Sequence, residues 1–156
     1  MNTYPTLNLP QCSLTTRQVE GRIEVFDIAR KRYVALTPEE WVRQHVVHAL
    51  HFHQGYPLEI IQVEGAISLA GLTKRCDVVV YNCHTQAIMI VECKKTDVPL
   101  TQKVLDQICR YNQVLHVPYL YVTNGLKHIV CKADFDHQCL LSLSALPTWE
   151  ELKKHN

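Results

Sequence analysis

Residues 77–94, DVVVYNCHTQAIMIVECK, decide the fold of this chain. They hold two runs rich in apolar and β-branched residues, 77–81 and 87–93. Strands that are apolar on both faces are typical of the centre of a sheet that is covered on each side. The segment between them, 82–85, has the composition of a turn and is short enough to make the strands antiparallel neighbours. The stretch therefore predicts a central β-hairpin.

Charged residues lie at one end of this predicted hairpin. Asp77 begins the first strand and Glu92 lies near the end of the second, so the turn brings the two carboxylates together. Lys94 follows Glu92 by two residues and is expected on the same face. Two adjacent carboxylates raise each other's pKa unless a cation separates them, and oxygen ligands favour Mg²⁺ or Mn²⁺ over zinc. The alternative is a plain ion pair of Lys94 with Glu92, with Asp77 capping a turn.

Two helices flank the predicted sheet. A helix is predicted over 37–54, because Thr37 suits the N-cap, a proline follows it, and Gly55 suits the end. Helical spacing gives this helix one broad apolar face, formed by Trp41, Val42, Val46, Ala49, Leu50 and Phe52. The second helix is predicted over 101–115, and Thr148 begins a short C-terminal helix by the same capping pattern.

From residue 37 onward the predicted order is helix, strand, strand, strand, helix, strand. A mixed sheet with one crossover helix is an α/β or α+β layer arrangement. The four core strands are predicted at 58–63, 77–81, 87–93 and 118–122. A loose lead-in over 1–20 and a hairpin of 23–26 with 33–36 precede this core, and a turn at 123–125 leads to a strand over 126–132. The 156 residues are expected to form one domain, 1–156, with its core at about 37–125.

Composition excludes several classes of function. The 16 basic and 15 acidic residues leave a formal charge of +1, so contact with a polyanion has to come from a local patch. The seven cysteines form no CxxC pair and are expected to be reduced thiols. We found no secretory signal, no apolar run of membrane-spanning length and no GxxxxGK[ST] phosphate loop. The expectation is a cytoplasmic protein without a membrane or ATP as partner.

Gln107 and Tyr111 lie one turn apart on the second helix. With Asp77 and the Glu92-Cys93-Lys94 triplet, on this order of elements, the chain resembles the PD-(D/E)xK nuclease superfamily. Within it, the chain is similar to the N-terminal nuclease domain of type I restriction enzyme R subunits, in a stand-alone form. The likeness covers roughly residues 37–125 and includes TPEEWVR at 37–43, KRCD at 74–77 and TNG at 123–125. It departs at position 76, where cysteine replaces the proline found before the aspartate in this pattern.

The resemblance implies a restriction-endonuclease-like core and a Mg²⁺-dependent nuclease, an endonuclease that hydrolyses DNA phosphodiester bonds, with Mn²⁺ as a substitute ion. The implied roles are metal binding by Asp77, Glu92 and the Cys93 carbonyl, water positioning by Lys94, and support by Gln107 and Tyr111. DNA is the expected partner. A homodimer and a separate targeting or motor partner both stay open.

Such folds often add an acidic residue from the first helix, which here is Glu39 or Glu40. Glu39 is our choice, because its helical angle lies at the edge of the core-facing side, whereas Glu40 is expected to face out and to complete the cap. Basic side chains near the site in sequence are candidate phosphate contacts, although each is also typical of a solvated surface: Lys74, Arg75, Lys95, Lys103 and Arg110.

Two other classes of function compete with the nuclease. The near-zero net charge favours a non-catalytic module that keeps the fold and binds nucleic acid or protein. Four histidines within nine residues favour a metal store or sensor, but their helical angles scatter around the helix and predict partly exposed surface instead: His45, His48, His51 and His53.

Overall fold

The computed structural model describes residues 4–154 and contains two β-sheets. The smaller sheet is antiparallel and comprises β1 (Thr16–Val19), β2 (Arg22–Asp27) and β3 (Arg32–Ala35). The larger sheet comprises β4 (Ile61–Leu69), β5 (Leu72–Tyr81), β6 (Ala87–Cys93), β7 (Tyr119–Thr123), β8 (His128–Asp134) and β9 (Cys139–Leu143). The α-helices are α1 (Pro38–His48), α2 (Gln102–Leu115) and α3 (Trp149–Lys153).

The larger sheet is mixed, as predicted. Its strands lie in the order β4-β5-β6-β7-β8-β9. β6 and β7 are parallel and are joined by α2, whereas the other neighbours are antiparallel. Parallel neighbours need a long crossover because a tight turn reverses the chain direction. The protein is therefore an α+β fold with the predicted order around its central strands.

Two apolar cores lie on the two faces of this sheet. Val78 and Val91 pack in the core beneath α1, while Val79 and Ile90 pack in the core beneath α2. All four side chains are almost completely buried. Burial on both faces is the reason that β5 and β6 consist of near-continuous apolar residues. In residues 4–154, no helix combines the length and apolar character needed to cross a membrane.

Several strand boundaries differ from the prediction, most of them by one or two residues, and the larger differences lie in β1, β4 and β5. The strand predicted over 58–63 begins at Ile61, after a 3₁₀ turn, and continues to Leu69. It turns back at Ala70 and Gly71, both with positive φ, into β5, so Asp77 lies inside a strand instead of at its start. Part of the predicted lead-in also forms β1. β1 and the last residues of β4 are largely exposed, and pairing with a neighbouring strand stabilises them as strands.

The first helix also departs from its predicted regularity. Thr37 caps it by accepting the Glu40 backbone N–H at 3.1 Å, but α1 changes into a π-helix over Ala49–His53. A π-helical turn shifts the angles of the residues within it. Phe52 is therefore 64% exposed, and its predicted place on the apolar face is wrong.

The histidines of this helix are also placed differently from the prediction. His45 and His48 are buried, so their interpretation as partly exposed surface is wrong. His45 Nδ1 hydrogen-bonds the Trp41 carbonyl, and His51 Nδ1 hydrogen-bonds the Tyr56 carbonyl, each at 2.8 Å. Among residues 4–154, neither these histidines nor any other group of three His, Cys, Asp or Glu side chains forms a ready metal cluster.

Candidate active site

The two carboxylates predicted for the site lie on adjacent strands. Val78 pairs with Val91 in the antiparallel ladder, which puts Asp77 and Glu92 at the next position along β5 and β6. Asp77 Oδ2 accepts the backbone N–H of Cys93 at 2.7 Å. The hairpin therefore brings the carboxylates to one place, and a backbone hydrogen bond fixes the orientation of Asp77.

A local irregularity decides which way Asp77 points. Glu64, beside Asp77 on β4, has a left-handed backbone with φ of 56°, and the pairs on either side of it keep the ladder register. Asp77 and Glu64 both contact Arg43 of α1, although Val78 also faces α1. Regular alternation would put Asp77 and Val78 on opposite faces. The kink therefore turns Asp77 towards α1, which strand periodicity does not predict.

Arg43 holds Asp77 from the α1 side. Its Nη1 lies 3.3 Å from Asp77 Oδ1, and its Nε and Nη2 bind Glu40 at 2.9 and 3.0 Å. Arg43 and Glu40 are both buried, so this two-pronged pair is shielded from water. Arg43 was not predicted as a site residue. The signal available in the sequence was its spacing of three to four residues from the two glutamates, which makes Arg43 their neighbour on the surface of the helix.

A second arginine extends this network to the smaller sheet. Arg30 binds Asp27 at 2.9 Å, Glu40 at 2.9 Å and Glu64 at 3.2 Å. Asp27 is fully buried and also accepts the Gln44 amide at 2.8 Å. The turn between β2 and β3 is thereby tied to the base of the site.

The first-helix acids have opposite environments. Glu40 is buried in the arginine network, so the prediction that it faces out is wrong. Burial alone would raise the pKa of Glu40, but the hydrogen bonds and charge of Arg43 outweigh it and hold the pKa below its ordinary value. Glu39 is exposed and interacts with Asp77; partial desolvation and the Asp77 charge raise the pKa of Glu39 against the opposing charges of Arg43 and Lys94. Of the two acids, Glu39 therefore faces the carboxylate pair.

Glu92 lies on the other side of the pair. It is 8% exposed, and burial together with the charge of Asp77 raises its pKa to about 7. Lys74 Nζ lies 3.4 Å from Glu92 Oε1, yet this buried oxygen accepts no hydrogen bond from residues 4–154. The two observations are compatible, because the ammonium is within ion-pair distance but outside hydrogen-bond geometry. Glu92 Oε1 therefore has lone pairs available for a further ligand.

The residues predicted to support the site have different environments. Tyr111 lies with its ring centroid 4.9 Å from Lys74 Nζ, so α2 reaches Glu92 through this lysine. Gln107, one turn earlier on α2, is exposed. Lys94 is half-buried, its backbone N–H donates to the Thr123 carbonyl at 2.8 Å, and its charge acts on Glu92.

The remaining basic candidates are exposed. Arg75 is exposed on β5. Lys95 is exposed and pairs with Asp97 at 3.7 Å, a surface contact of little energetic weight. Lys103 and Arg110 are exposed on α2. Lys74 was predicted only as a phosphate contact; its position beside Glu92 depends on the β4–β5 hairpin, which the sequence did not reveal.

The donor set suits a hard divalent cation. Mg²⁺ in proteins is often held by one or two carboxylates and keeps several waters, so a complete cage of side chains is not required. Asp77 and Glu92 supply two such groups, with Glu39 close to Asp77. The buried Glu92 Oε1 without a hydrogen-bond donor is the observation that fits a cation. Cys93 offers only its backbone, because its thiol is buried and burial raises the thiol pKa well above its ordinary value.

The chain thus forms a mixed sheet that carries paired acids on its central hairpin and packs a helix against each face. The profile of the family described as type I restriction enzyme R protein N terminus (HSDR_N) matches residues 38–147. The chain belongs to this family. The resemblance given by the sequence motifs is thus confirmed, and membership supports a nuclease-type function.

Solved structures include two similar proteins. A fragment assigned as an HsdR subunit of a type I restriction enzyme from Vibrio vulnificus YJ016 is 26% identical, with a TM-score of 0.51, over 78% of this chain and 25% of that chain. The chain thus spans a quarter of that fragment. A protein of the DUF820 family from Anabaena variabilis, assigned as a nuclease, is 11% identical, with a TM-score of 0.48, over 94% of this chain and 88% of that chain. Comparison with curated proteins gives no match.

Proposed function

We propose that this chain is a Mg²⁺-dependent endonuclease that hydrolyses phosphodiester bonds of DNA, with Mn²⁺ as a substitute ion. The observation that carries the proposal is the buried Glu92, which lies beside Asp77. The pKa of Glu92 is raised, and its Oε1 accepts no hydrogen bond from residues 4–154. Two adjacent carboxylates repel each other when both are ionised, and a divalent cation bound between them would relieve that repulsion. Membership in the restriction-enzyme family supports the same reading.

In this proposal, Asp77 and Glu92 hold the ion, with Glu39 and the Cys93 carbonyl as further oxygen donors. An ion held by these residues would supply a water molecule of lowered pKa and positive charge beside the phosphoryl oxygens. The Cys93 N–H and the Arg43 guanidinium keep Asp77 in one orientation, so little reorganisation is needed when substrate binds.

Lys94 is the proposed positioning group for the attacking water. It follows Glu92 at the end of β6 and is half-buried, so its ammonium lies at the boundary between the site and solvent. Its positive charge would also stabilise the negative charge that develops on the phosphate in the transition state.

The DNA backbone is proposed to lie along the rim of the site. Gln107, Arg75 and Lys95 are exposed there, and amide, guanidinium and ammonium groups all donate to phosphate oxygens. Tyr111 supports the site from α2 through Lys74. In this proposal the exposed Arg75 and Lys95 supply positive charge for the DNA phosphates locally, since the net charge of the chain is only +1.

Incubation of supercoiled plasmid and of single-stranded DNA with Mg²⁺ tests the proposal. We expect cleavage by the wild-type chain and at least about a 100-fold loss in Asp77→Asn, which keeps the side-chain shape but removes the charge. Asp136→Asn is the matched control, because Asp136 is exposed in the turn between β8 and β9. Cleavage that persists in Asp77→Asn refutes the assignment of the site.

Calorimetry with Mg²⁺ separates the nuclease from the non-catalytic alternative. A nuclease site gives binding heat that disappears in Glu92→Gln and remains in Glu59→Gln, an exposed glutamate next to β4. DNA binding without cleavage and without Mg²⁺ heat would show instead that the fold serves as a binding module.

A further inference from the structure

Lys74 is the cation closest to the buried carboxylate of the site. It lies on β5, three residues before Asp77, and its Nζ is 3.4 Å from Glu92 Oε1. Within residues 4–154, it is the side-chain cation that forms an ion pair with Glu92. Its side chain is 23% exposed, whereas that of Glu92 is 10% exposed. The lysine is therefore the more exposed member of the pair.

The pair between Lys74 and Glu92 is incomplete. Glu92 Oε1 is buried and accepts no hydrogen bond in the described part of the chain, so the ammonium attracts the oxygen by charge alone. A hydrogen bond between charged groups is roughly twice as strong as a hydrogen bond between neutral groups. Lys74 and Glu92 lack such a hydrogen bond in the described part of the chain. The contact is thus weak enough to be exchanged for a better ligand.

Tyr111 gives the ammonium a second partner. Its ring centroid lies 4.9 Å from Lys74 Nζ, within the range of a cation–π contact of about 0.5–2 kcal/mol. The ring belongs to α2, so it is positioned independently of the strand that carries Glu92. Lys74 is therefore held between a carboxylate and an aromatic face.

Charge balance decides what happens when a divalent ion binds. Arg43 already pairs with Asp77, and Lys74 is the cation in ion-pair contact with Glu92 within residues 4–154, so each carboxylate has one cationic partner. A divalent ion bound to Glu92 Oε1 would repel an ammonium that stays 3.4 Å from the same oxygen. The two cations therefore compete for one oxygen.

We propose that Lys74 is a placeholder cation, which occupies Glu92 when no metal ion is bound and which a divalent ion has to displace. This inference rests on the proposed function, because it concerns the same metal site. Lys74 is then a positioning residue, whose positive charge reduces the repulsion between Glu92 and Asp77 before the ion binds. It also predicts that Lys74 lowers the affinity for Mg²⁺.

Calorimetric titration of Mg²⁺ into the full chain tests this competition. We expect Lys74→Met, which keeps the length of the side chain but removes the charge, to bind Mg²⁺ about tenfold more tightly than the wild-type chain. Lys74→Arg keeps the competing charge and is expected to bind within about twofold of wild type. Lys103→Met is the matched control, because Lys103 is exposed on α2.

Nuclear magnetic resonance of the tyrosine rings gives a second measurement that does not depend on DNA cleavage. Addition of Mg²⁺ to the wild-type chain is expected to shift the Tyr111 ring signals as the ammonium leaves the ring. In Lys74→Met no ammonium is present, so the same addition should leave these signals nearly unchanged. A Tyr111→Phe variant assigns the signals.

The outcomes separate this inference from the proposed function. Mg²⁺ binding by Lys74→Met that equals or is weaker than that of wild type overturns the placeholder, even where the wild-type chain cuts DNA. Equal shifts of the Tyr111 ring in both chains also overturn it. Absence of Mg²⁺ binding in both chains refutes the metal site and the placeholder together.

Discussion

Glu92→Gln is expected to stabilise the chain at pH 8 when no divalent ion is present. Burial and the charge of Asp77 raise the pKa of Glu92 from an ordinary 4.5 to about 7. Between these values the folded chain keeps a proton that the unfolded chain has released, so stability falls as the pH rises through this window and levels off above 7. Glutamine imitates the protonated carboxyl and carries no such cost.

The magnitude follows from the same two values. One pKa unit corresponds to about 1.4 kcal/mol, so the cost of ionising Glu92 in the folded chain is at most about 3–4 kcal/mol. The carboxyl is 8% exposed, so solvent screens this cost little. The unpaired Lys74 ammonium offsets part of the gain in the variant. For a chain of this size, the gain corresponds to a rise of about 5–10 °C in the unfolding temperature.

Thermal and urea unfolding in EDTA, followed by circular dichroism at pH 5 and pH 8, measure this effect. The variant should exceed the wild-type chain at pH 8 and nearly equal it at pH 5, where Glu92 is largely protonated. Glu59→Gln, on an exposed glutamate, is the control and should follow wild type at both values. An equal gain at both pH values, or a loss at pH 8, refutes the electrostatic explanation.

Three further predictions concern the scaffold of the site. Arg43→Met is expected to lower the free energy of unfolding by about 3–5 kcal/mol in urea titrations, because it leaves Asp77 without its arginine partner and the buried Glu40 with Arg30 alone. Gly125→Ala should destabilise the chain by about 2 kcal/mol in the same assay, because φ is +85° and the added Cβ would lie 2.8 Å from a methyl group of Leu7. A thiol reagent should label the two exposed cysteines within minutes and Cys93 only after unfolding, because the Cys93 thiol is buried with a strongly raised pKa.

Matched variants make these predictions decisive. Arg110→Met, on the exposed face of α2, should change stability by less than about 0.5 kcal/mol. Gly21→Ala adds a Cβ at a similar φ of +76° but meets no atom within 4 Å, so it isolates backbone strain from the clash at Gly125. Equal losses in the two alanine variants would contradict the clash, and rapid labelling of Cys93 in the folded chain would contradict its burial.

Much of the fold was predictable because its signals are local. The apolar runs in β5 and β6, the short turn between them and the helical spacing in α2 each depend on residues close in sequence. Thr37 and Thr148 indicate the starts of α1 and α3, because each side chain caps its helix by accepting a backbone N–H three residues later. Elements fixed by near neighbours appear where the pattern indicates.

The site was predictable only in part. Strand spacing and the turn bring Asp77 near Glu92, and the helical angle indicates Glu39 as the acid that faces them. Strand periodicity gives no sign of the kink at Glu64 that turns Asp77 towards Arg43. The roles of the predicted ligands and of the ion stay predictions until the assays above are carried out.

The sequence by itself determined the order of the elements, the pairing of β5 with β6 and the set of acids on that hairpin, because each depends on contacts within a few residues or on one tight turn. Only the tertiary structure decided which partner each charge has. Arg30 of the β2–β3 turn meets Glu40 of α1, and Lys74 of β5 meets Tyr111 of α2. Ion pairs over such distances depend on how separate elements pack together, and packing is a property of the whole fold.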